Sequence, residues 1–208
     1  MTLPTLRRPT PEGQILCLEP LVWRVDDVVS ADECEHIIGL AEPSRRRAQV
    51  SDEASGRTSD GRTNDVVWVP HHSSERTTAV CERLADLVGL PLINAEAMQV
   101  ICYEVGQEYR PHFDAYDLST PRGQRCCARG GQRLATVLVY LCDVEAGGGT
   151  RFPKVDLTVR ARQGRALFFH NCRPDTDIRD PRTLHAGLPV ERGRKWAFNL
   201  WFRVGAFR

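Results

Sequence analysis

The stretch KWAFNLWFR, residues 195–203, decides the class of fold. Successive side chains of a strand point to opposite faces, so alternate residues share a face. One face of this segment would be wholly apolar: Trp196, Phe198, Leu200 and Phe202. The other would carry Lys195, Asn199 and Trp201, which are a cation, an amide and one aromatic ring. The pattern predicts a strand whose apolar face packs against helices outside a barrel and whose second face lines a pocket.

Other segments of the second half have the same β-rich composition and are separated by turn signals such as GGGT. They are MQVICYEV (98–105), LATVLVYL (134–141) and RALFFH (165–170). Many strands in succession, after a first half that contains helices, predict an α+β fold. Its helices would pack on a sheet that forms a sandwich or an open barrel.

The first half is expected to contain short strands in 14–25, broken near Pro20, and then two helices. SADE has the form of a capping box, with Ser30 as N-cap and Glu33 three residues later. A second helix is expected over 74–88. Between the helices, residues 44–66 are polar and rich in Gly and Ser, which predicts a solvated loop or a binding lid.

Composition limits the class of protein. A chain of 208 residues with 41% hydrophobic residues is long enough for one domain, expected over 14–208 after a mobile, Pro-rich arm at 1–13. A net charge of +1 argues against a nucleic-acid partner. No apolar run approaches a membrane span, and the N-terminus has no apolar core after its arginines. A cytoplasmic protein without a membrane partner is therefore expected.

The cysteines do not predict a metal site. Eight are present and none has the CxxC spacing of a structural zinc site. For a cytoplasmic chain, reduced and mostly buried thiols are expected. The adjacent pair Cys126 and Cys127 lies in a segment expected to be a polar loop, where oxidation is conceivable and the sequence leaves the redox state open.

The stretch YRPHFDAY, 109–116, contains a candidate metal site. If HFD is extended, His112 and Asp114 point to one side and Phe113 to the other. Such a pair is also compatible with a hydrogen-bonded surface contact. His185, 73 residues downstream in the β-rich half, supplies a possible third ligand. Two imidazoles and one carboxylate on one face are typical of open non-haem Fe(II) sites, which keep positions for other ligands.

Lys195 is unusual in this chain because 26 of the 28 basic residues are arginine. The other lysine is Lys154. Lys195 begins the polar face of an otherwise apolar strand, so it is either a solvated charge at the strand end or part of the pocket lining. A compact ammonium with three donors suits a single carboxylate in a tight pocket.

The chain resembles the free-standing, microbial-type members of the prolyl 4-hydroxylase family of Fe(II)/2-oxoglutarate-dependent dioxygenases. The resemblance extends over roughly 30–202, and GRTS within 44–66 is similar to the family's closing loop. Its most specific blocks are YEVGQEYRPHFD, RLATVLVYLCDVEAGGGTRFP, GRALFFHN and LHAGLPVERGRKWAFNLWFR.

The resemblance implies a double-stranded β-helix, or jelly-roll, with supporting N-terminal helices. It implies that one set of residues binds Fe(II) and is catalytic: His112, Asp114 and His185. It implies a second set that binds 2-oxoglutarate: Lys195, Tyr103 and Thr150. It also implies a third set that holds the substrate: Tyr109, Arg133 and Trp201.

The reaction implied by the resemblance is hydroxylation of a C–H bond by Fe(II), 2-oxoglutarate and O2, with release of succinate and CO2 and with ascorbate as reductant. A peptide or protein prolyl residue is the first expected substrate. A free amino acid or small metabolite is the alternative, and a non-catalytic binding module on the same fold is a third hypothesis. The segment 117–133 is rich in Arg and Cys, which argues against a standard collagen-like peptide.

Overall fold

A computed structural model describes residues 3–7, 9–51 and 56–208. Within these residues the helices are α1 (Ala31–Ala41), α2 (Glu75–Val88) and α3 (Pro121–Cys127). The strands are β1 (Gln14–Cys17), β2 (Val22–Val25), β3 (Arg46–Arg47), β4 (Val50–Ser51), β5 (Gly56–Arg57), β6 (Asp65–Val69), β7 (Met98–Tyr103), β8 (Tyr109–His112), β9 (Arg133–Tyr140), β10 (Ala146–Gly147), β11 (Thr150–Phe152), β12 (Leu157–Val159), β13 (Ala166–His170), β14 (His185–Gly187), β15 (Val190–Arg192) and β16 (Lys195–Arg203).

Two antiparallel sheets form the core of the molecule. The major sheet has eight strands in the order β1-β2-β13-β9-β16-β7-β6-β3, and the minor sheet has four in the order β12-β11-β14-β8. Strands distant in the sequence are neighbours in both sheets, as in a jelly-roll. The α+β double-stranded β-helix expected from the sequence is therefore confirmed.

The two N-terminal helices begin where their capping residues predict. Ser30 Oγ accepts the backbone N–H of Glu33, whose carboxylate accepts the N–H of Ser30, which completes the capping box of α1. Ser74 caps α2 through the N–H of Thr77, and α2 ends at Gly89, whose φ of 79° is readily adopted only by glycine. None of the helices in the described residues is long and apolar enough to cross a membrane.

Strand β16 separates two apolar clusters, as its alternation predicts. Trp196, Phe198, Leu200 and Phe202 belong to the cluster that also contains buried residues of α1 and α2. Ala197 belongs to the second cluster, together with Tyr103 of β7 and residues of the minor sheet such as Phe152. The helices therefore support one face of the major sheet, and the opposite face is available for a site between the sheets.

The region 44–66 is more ordered than the solvated loop that its polarity predicts. Arg46 and Arg47 pair with Val66 and Asp65, and β4 pairs with β5. The N–H of Arg110 in β8 donates to the carbonyl of Gly61. Pairing with neighbouring strands satisfies the backbone polar groups here, and this non-local effect overrides the local signal. Residues 52–55 of this region lie outside the described residues.

Two further local expectations need correction. β8 ends at His112, so Asp114 follows the strand in a bend and does not extend it. The segment 117–133 is not a plain loop, because it contains α3. The hydroxyl of Thr120 caps α3 by accepting the N–H of Gly123, and Pro121 lies at its start, where a missing N–H does no harm.

The described part of the N-terminal arm contacts the body of the protein. The backbone N–H of Arg7 donates to the carbonyl of Val88, at 2.8 Å. The Leu6 side chain packs against two of the apolar clusters. The mobility expected of residues 1–13, and the domain boundary after them, stay predictions.

Candidate active site

The candidate metal ligands meet between neighbouring strands of the minor sheet. His112 at the end of β8 stands opposite His185 at the start of β14 in the strand register. The bend after β8 brings Asp114 beside both rings. Its Oδ2 lies 3.5 Å from His185 Nε2, and its Oδ1 lies 3.9 Å from His112 Nε2. One ligand atom from each residue lies within 4.8 Å of the others.

Backbone hydrogen bonds orient both imidazole rings. His112 Nδ1 lies 2.9 Å from the carbonyl of Arg110, and His185 Nδ1 lies 2.9 Å from the carbonyl of Thr183. A carbonyl only accepts, so each Nδ1 carries the proton and each Nε2 keeps its lone pair for a metal. Burial, together with the His185 ring, lowers the pKa of His112 to about 3, so this ring is neutral at physiological pH, as a ligand must be.

A hydrogen-bond chain from the major sheet holds Asp114. The hydroxyl of Thr136 in β9 donates to Asp114 Oδ2 at 2.8 Å, and Asn171 Nδ2 donates to that hydroxyl at 2.9 Å. The buried indole N–H of Trp201, in the cavity that Asp114 lines, has no hydrogen-bond partner among the described residues. A buried donor of this kind is suited to a ligand atom bound beside the carboxylate.

The donor set fits a non-haem Fe(II) ion. Two neutral imidazoles and one carboxylate on one side of an ion leave its other positions open to exchangeable ligands. Ligand atoms within 4.8 Å of one another are close enough to coordinate a single ion. The group of three is buried or half-buried, which limits competition from water.

Lys195 lies between the sheets without a counter-charge. It is 1% exposed, and no carboxylate of the described residues forms an ion pair with it. Its Nζ lies 4.9 Å from the ring centre of Tyr103 and 5.4 Å from that of Tyr140. Burial lowers the pKa of Lys195 to about 8. An isolated buried ammonium is unfavourable unless a ligand supplies a negative charge, so the structure fits the binding of a carboxylate here.

Hydroxyl groups from both sheets surround this lysine. Tyr103 in β7 is the cross-strand partner of Lys195. Thr150 in β11 lies 2.7 Å from the Tyr140 hydroxyl, Oγ1 to Oη. Sequence reasoning missed Tyr140, although its alternation with Thr136 in β9 places both on the site face of that strand. The glycines before Thr150 have positive φ values, which form the turn that leads into β11.

The three residues expected to hold the substrate line a cavity of about 170 Å³ together with His112 and Asp114. The ring of Tyr109 stacks on the ring of His112, with centres 3.5 Å apart. Arg133 Cζ lies 3.7 Å from the ring centre of Trp201. The cavity wall is therefore built from flat groups stacked on one another, directly beside the ligand set.

A buried ion pair holds Arg133 in place. Glu96 accepts from Arg133 Nε at 2.6 Å and from Nη2 at 2.8 Å, which is a bidentate pair. Arg203 Nε also donates to Glu96, at 2.8 Å. No sequence pattern singled out Glu96, because its two partners follow it by 37 and 107 residues.

Two more residues of the cavity were missed. Arg62, within the region expected to be a loop, has its Cζ 4.6 Å from the ring centre of Tyr109. Trp68 in β6 is half exposed, with its ring centre 6.0 Å from that of Trp201. In a chain with 26 arginines, Arg62 has no local signal that distinguishes it.

Comparisons with known proteins agree with this geometry. Residues 98–203 match the family model described as the 2OG-Fe(II) oxygenase superfamily. Prolyl 4-hydroxylase 5 of Arabidopsis thaliana is 35% identical over 218 aligned residues, which cover 94% of this chain and 72% of that protein. Probable prolyl 4-hydroxylase 3 of Arabidopsis thaliana is 34% identical and is covered to 73%.

A solved structure is similar over nearly its whole length. The viral collagen prolyl hydroxylase of Paramecium Bursaria Chlorella virus-1, in its 2OG complex, has a TM-score of 0.71 and 27% identity, with 91% of this chain and 99% of that chain covered. The family implies Fe(II), 2-oxoglutarate and O2, and the ligand set found here suits that iron. This chain therefore belongs to the 2OG-Fe(II) oxygenase superfamily and, within it, to the prolyl 4-hydroxylases, which makes it a dioxygenase.

Proposed function

We propose that this protein hydroxylates prolyl residues of a peptide or protein, with Fe(II) held by His112, Asp114 and His185. The observation that carries the proposal is the convergence of these three ligand atoms within 4.8 Å, with both Nε2 lone pairs kept available by backbone acceptors. Thr136 holds the carboxylate by donating to Oδ2, so that Oδ1 is oriented to a metal.

Lys195, Tyr103 and Thr150 are proposed to bind 2-oxoglutarate. The Lys195 ammonium pairs with the distal carboxylate, and the hydroxyls of Tyr103 and Thr150 donate to its remaining lone pairs. Tyr140 orients Thr150, because the two hydroxyl oxygens are 2.7 Å apart. When bound, Fe(II), 2-oxoglutarate and O2 supply the oxidising power for C–H hydroxylation, with succinate and CO2 as co-products.

Tyr109, Arg133 and Trp201 are proposed to position the substrate. Tyr109 and Trp201 offer flat apolar walls for a proline ring, and Glu96 holds Arg133 beside the Trp201 ring. A prolyl C–H fixed next to the metal needs little further reorganisation to react. Ascorbate as reductant, a cytoplasmic location and a closing movement of residues 44–66 complete the proposal as predictions.

The test is a substrate screen with two readouts. Prolyl peptides, free proline and other free amino acids are incubated with Fe(II), 2-oxoglutarate and O2. Succinate release and a mass increase of one oxygen atom are then measured. Hydroxylated prolyl peptides with matching succinate support the proposal. Hydroxylation of free amino acids alone would favour the small-molecule alternative, and 2-oxoglutarate binding without any turnover would favour a binding module.

A further inference from the structure

Arg62 is a buried cation in the wall of the catalytic cavity, and the proposed function assigns it no role. Its residue surface is 7% exposed. It donates to Asn64 Oδ1 at 3.2 Å, to the Gln49 carbonyl at 3.2 Å and to Gln99 Oε1 at 2.8 Å. All three acceptors are neutral, and no carboxylate of the described residues forms an ion pair with this guanidinium.

A guanidinium has five N–H donors, and the three bonds of Arg62 to described residues use three of them. These bonds fix the orientation of the group without neutralising its charge. A buried charge that lacks a counter-charge is unfavourable unless a bound partner supplies one. An oriented, partly satisfied guanidinium is a typical receptor for a carboxylate.

The charge balance of the cavity favours the same kind of partner. Three guanidinium groups line it, those of Arg62, Arg122 and Arg133, against the single carboxylate of Asp114. The Asp114 carboxylate faces the proposed Fe(II). Glu96 pairs with Arg133, but it also accepts from a second buried arginine, so it does not offset the excess of positive charge.

Arg62 lies at a distance from the metal site that a neighbouring substrate residue can reach. Its Cζ is 4.6 Å from the Tyr109 ring centre, and that ring stacks on His112 at 3.5 Å. One aromatic ring thus separates the guanidinium from a metal ligand. An extended peptide advances about 3.3 Å per residue. A carboxylate one or two residues from a proline at the metal would therefore reach Arg62.

We propose that Arg62 is a specificity residue that binds a carboxylate of the substrate. This inference rests on the proposed prolyl hydroxylation and narrows its substrate class to acidic sequences. The carboxylate comes either from an Asp or Glu side chain next to the target proline or from the C-terminus of the substrate. Both sources share the same chemistry, and they are separated by capping the peptide.

The experiment compares isosteric peptides on the unaltered enzyme loaded with Fe(II) and 2-oxoglutarate. Prolyl peptides with both ends blocked carry Asp or Asn at the first or second position on either side of the proline, and a further pair carries a free or an amidated C-terminal proline. We expect a KM about ten- to a hundredfold lower for the carboxylate member of one pair. Equal kinetics for Asp and Asn peptides, and for free and amidated ends, would overturn the inference while leaving prolyl hydroxylation intact.

Variants then assign the preference to Arg62. In Arg62→Gln the advantage of the acidic peptide should disappear through KM. Arg62→Lys, which keeps the charge but not the fork, should retain part of it. Arg76→Gln, an exposed arginine on α2, removes the same charge as a control and should retain all of it. A full preference in a folded Arg62→Gln variant would overturn the assignment. If no prolyl peptide is hydroxylated, the proposed function fails and the inference fails with it.

Discussion

The two ends of the candidate site handle charge in opposite ways. At the end formed by Lys195, one ammonium is buried between aromatic rings, with no carboxylate paired to it in the described residues. At the end formed by Tyr109 and Trp201, charges are abundant, and a carboxylate bridges two of the arginines. The first end requires one small anion of defined length, and the second can adapt to a longer partner. The difference indicates that cosubstrate recognition is strict and that substrate recognition is separable from it.

The strongest way to break the comparison is to remove the group common to both ends. His112→Ala deletes one of three metal ligands, so iron binding and succinate formation should both fall to background. Bound iron and succinate are measured in the same preparation. His72→Ala, an exposed histidine, serves as the control and should retain both. Normal turnover by His112→Ala would remove the metal site from this position.

The next largest effect is expected at the cosubstrate end. Lys195→Ala leaves the carboxylate of 2-oxoglutarate buried without a partner, at a cost of about 3–5 kcal/mol, or roughly a hundredfold or more in the 2-oxoglutarate KM. Lys195→Arg should also bind poorly, because a planar fork needs more room than a compact ammonium. Lys154→Ala, at an exposed lysine, is the matched control. An unchanged KM in both Lys195 variants would place the cosubstrate elsewhere.

The charge pairing at the substrate end predicts a loss of stability. Glu96→Gln leaves Arg133 and Arg203 buried without their shared counter-charge, so the free energy of unfolding should fall by about 3–5 kcal/mol. Urea unfolding measures it. Asp156→Asn removes the partner of Arg151 at a side chain that is 90% exposed, and it should change stability by less than about 1 kcal/mol. Equal effects of the two substitutions would contradict the buried role of Glu96.

The unpaired lysine also predicts how cosubstrate binding depends on pH. Burial lowers the pKa of Lys195 to about 8 in the free protein, and a bound carboxylate raises it. Above pH 8, binding therefore takes up a proton, and affinity for 2-oxoglutarate should fall about tenfold per pH unit. Below pH 8 the lysine is charged in both states and contributes no slope. Burial raises the pKa of Tyr103 and of Tyr140, so both stay neutral here.

Calorimetric titration of the anaerobic Fe(II) protein with 2-oxoglutarate, from pH 7 to 10, measures this slope. In Lys195→Arg the slope should vanish, since arginine stays charged throughout that range. An affinity of the unaltered protein that is constant from pH 8 to 10 would contradict the lowered pKa of Lys195.

The smallest expected effect separates the two ends most cleanly. Tyr140→Phe removes the hydroxyl that lies 2.7 Å from Thr150 Oγ1, so the 2-oxoglutarate KM should rise about five- to tenfold while the peptide KM stays unchanged. Tyr116→Phe, in the wall of the substrate cavity, should leave the 2-oxoglutarate KM unchanged. A rise in peptide KM alone for Tyr140→Phe would assign that hydroxyl to the other end.

Much of the site could be predicted because its signals are local or strongly patterned. The two-residue alternation of 195–203 separated the face of Lys195 from the face packed on the helices, and the structure confirms that separation. The rarity of lysine and the spacing of His112 and Asp114 identified residues that the fold then brings together with His185. Caps such as Ser30 define helix starts through contacts only three residues away.

Contacts between distant segments were decided only by the tertiary structure. Asp114 depends on Thr136 and Asn171, which lie on other strands, and Arg133 depends on Glu96. Periodicity reports which way a side chain points, but not which partner it meets. A buried polar group must find its partner wherever packing places one, so these networks become visible only when the two sheets are assembled. Arg62 shows the same limit, since its sequence context indicates a solvated loop and only packing against Tyr109 makes it part of the site.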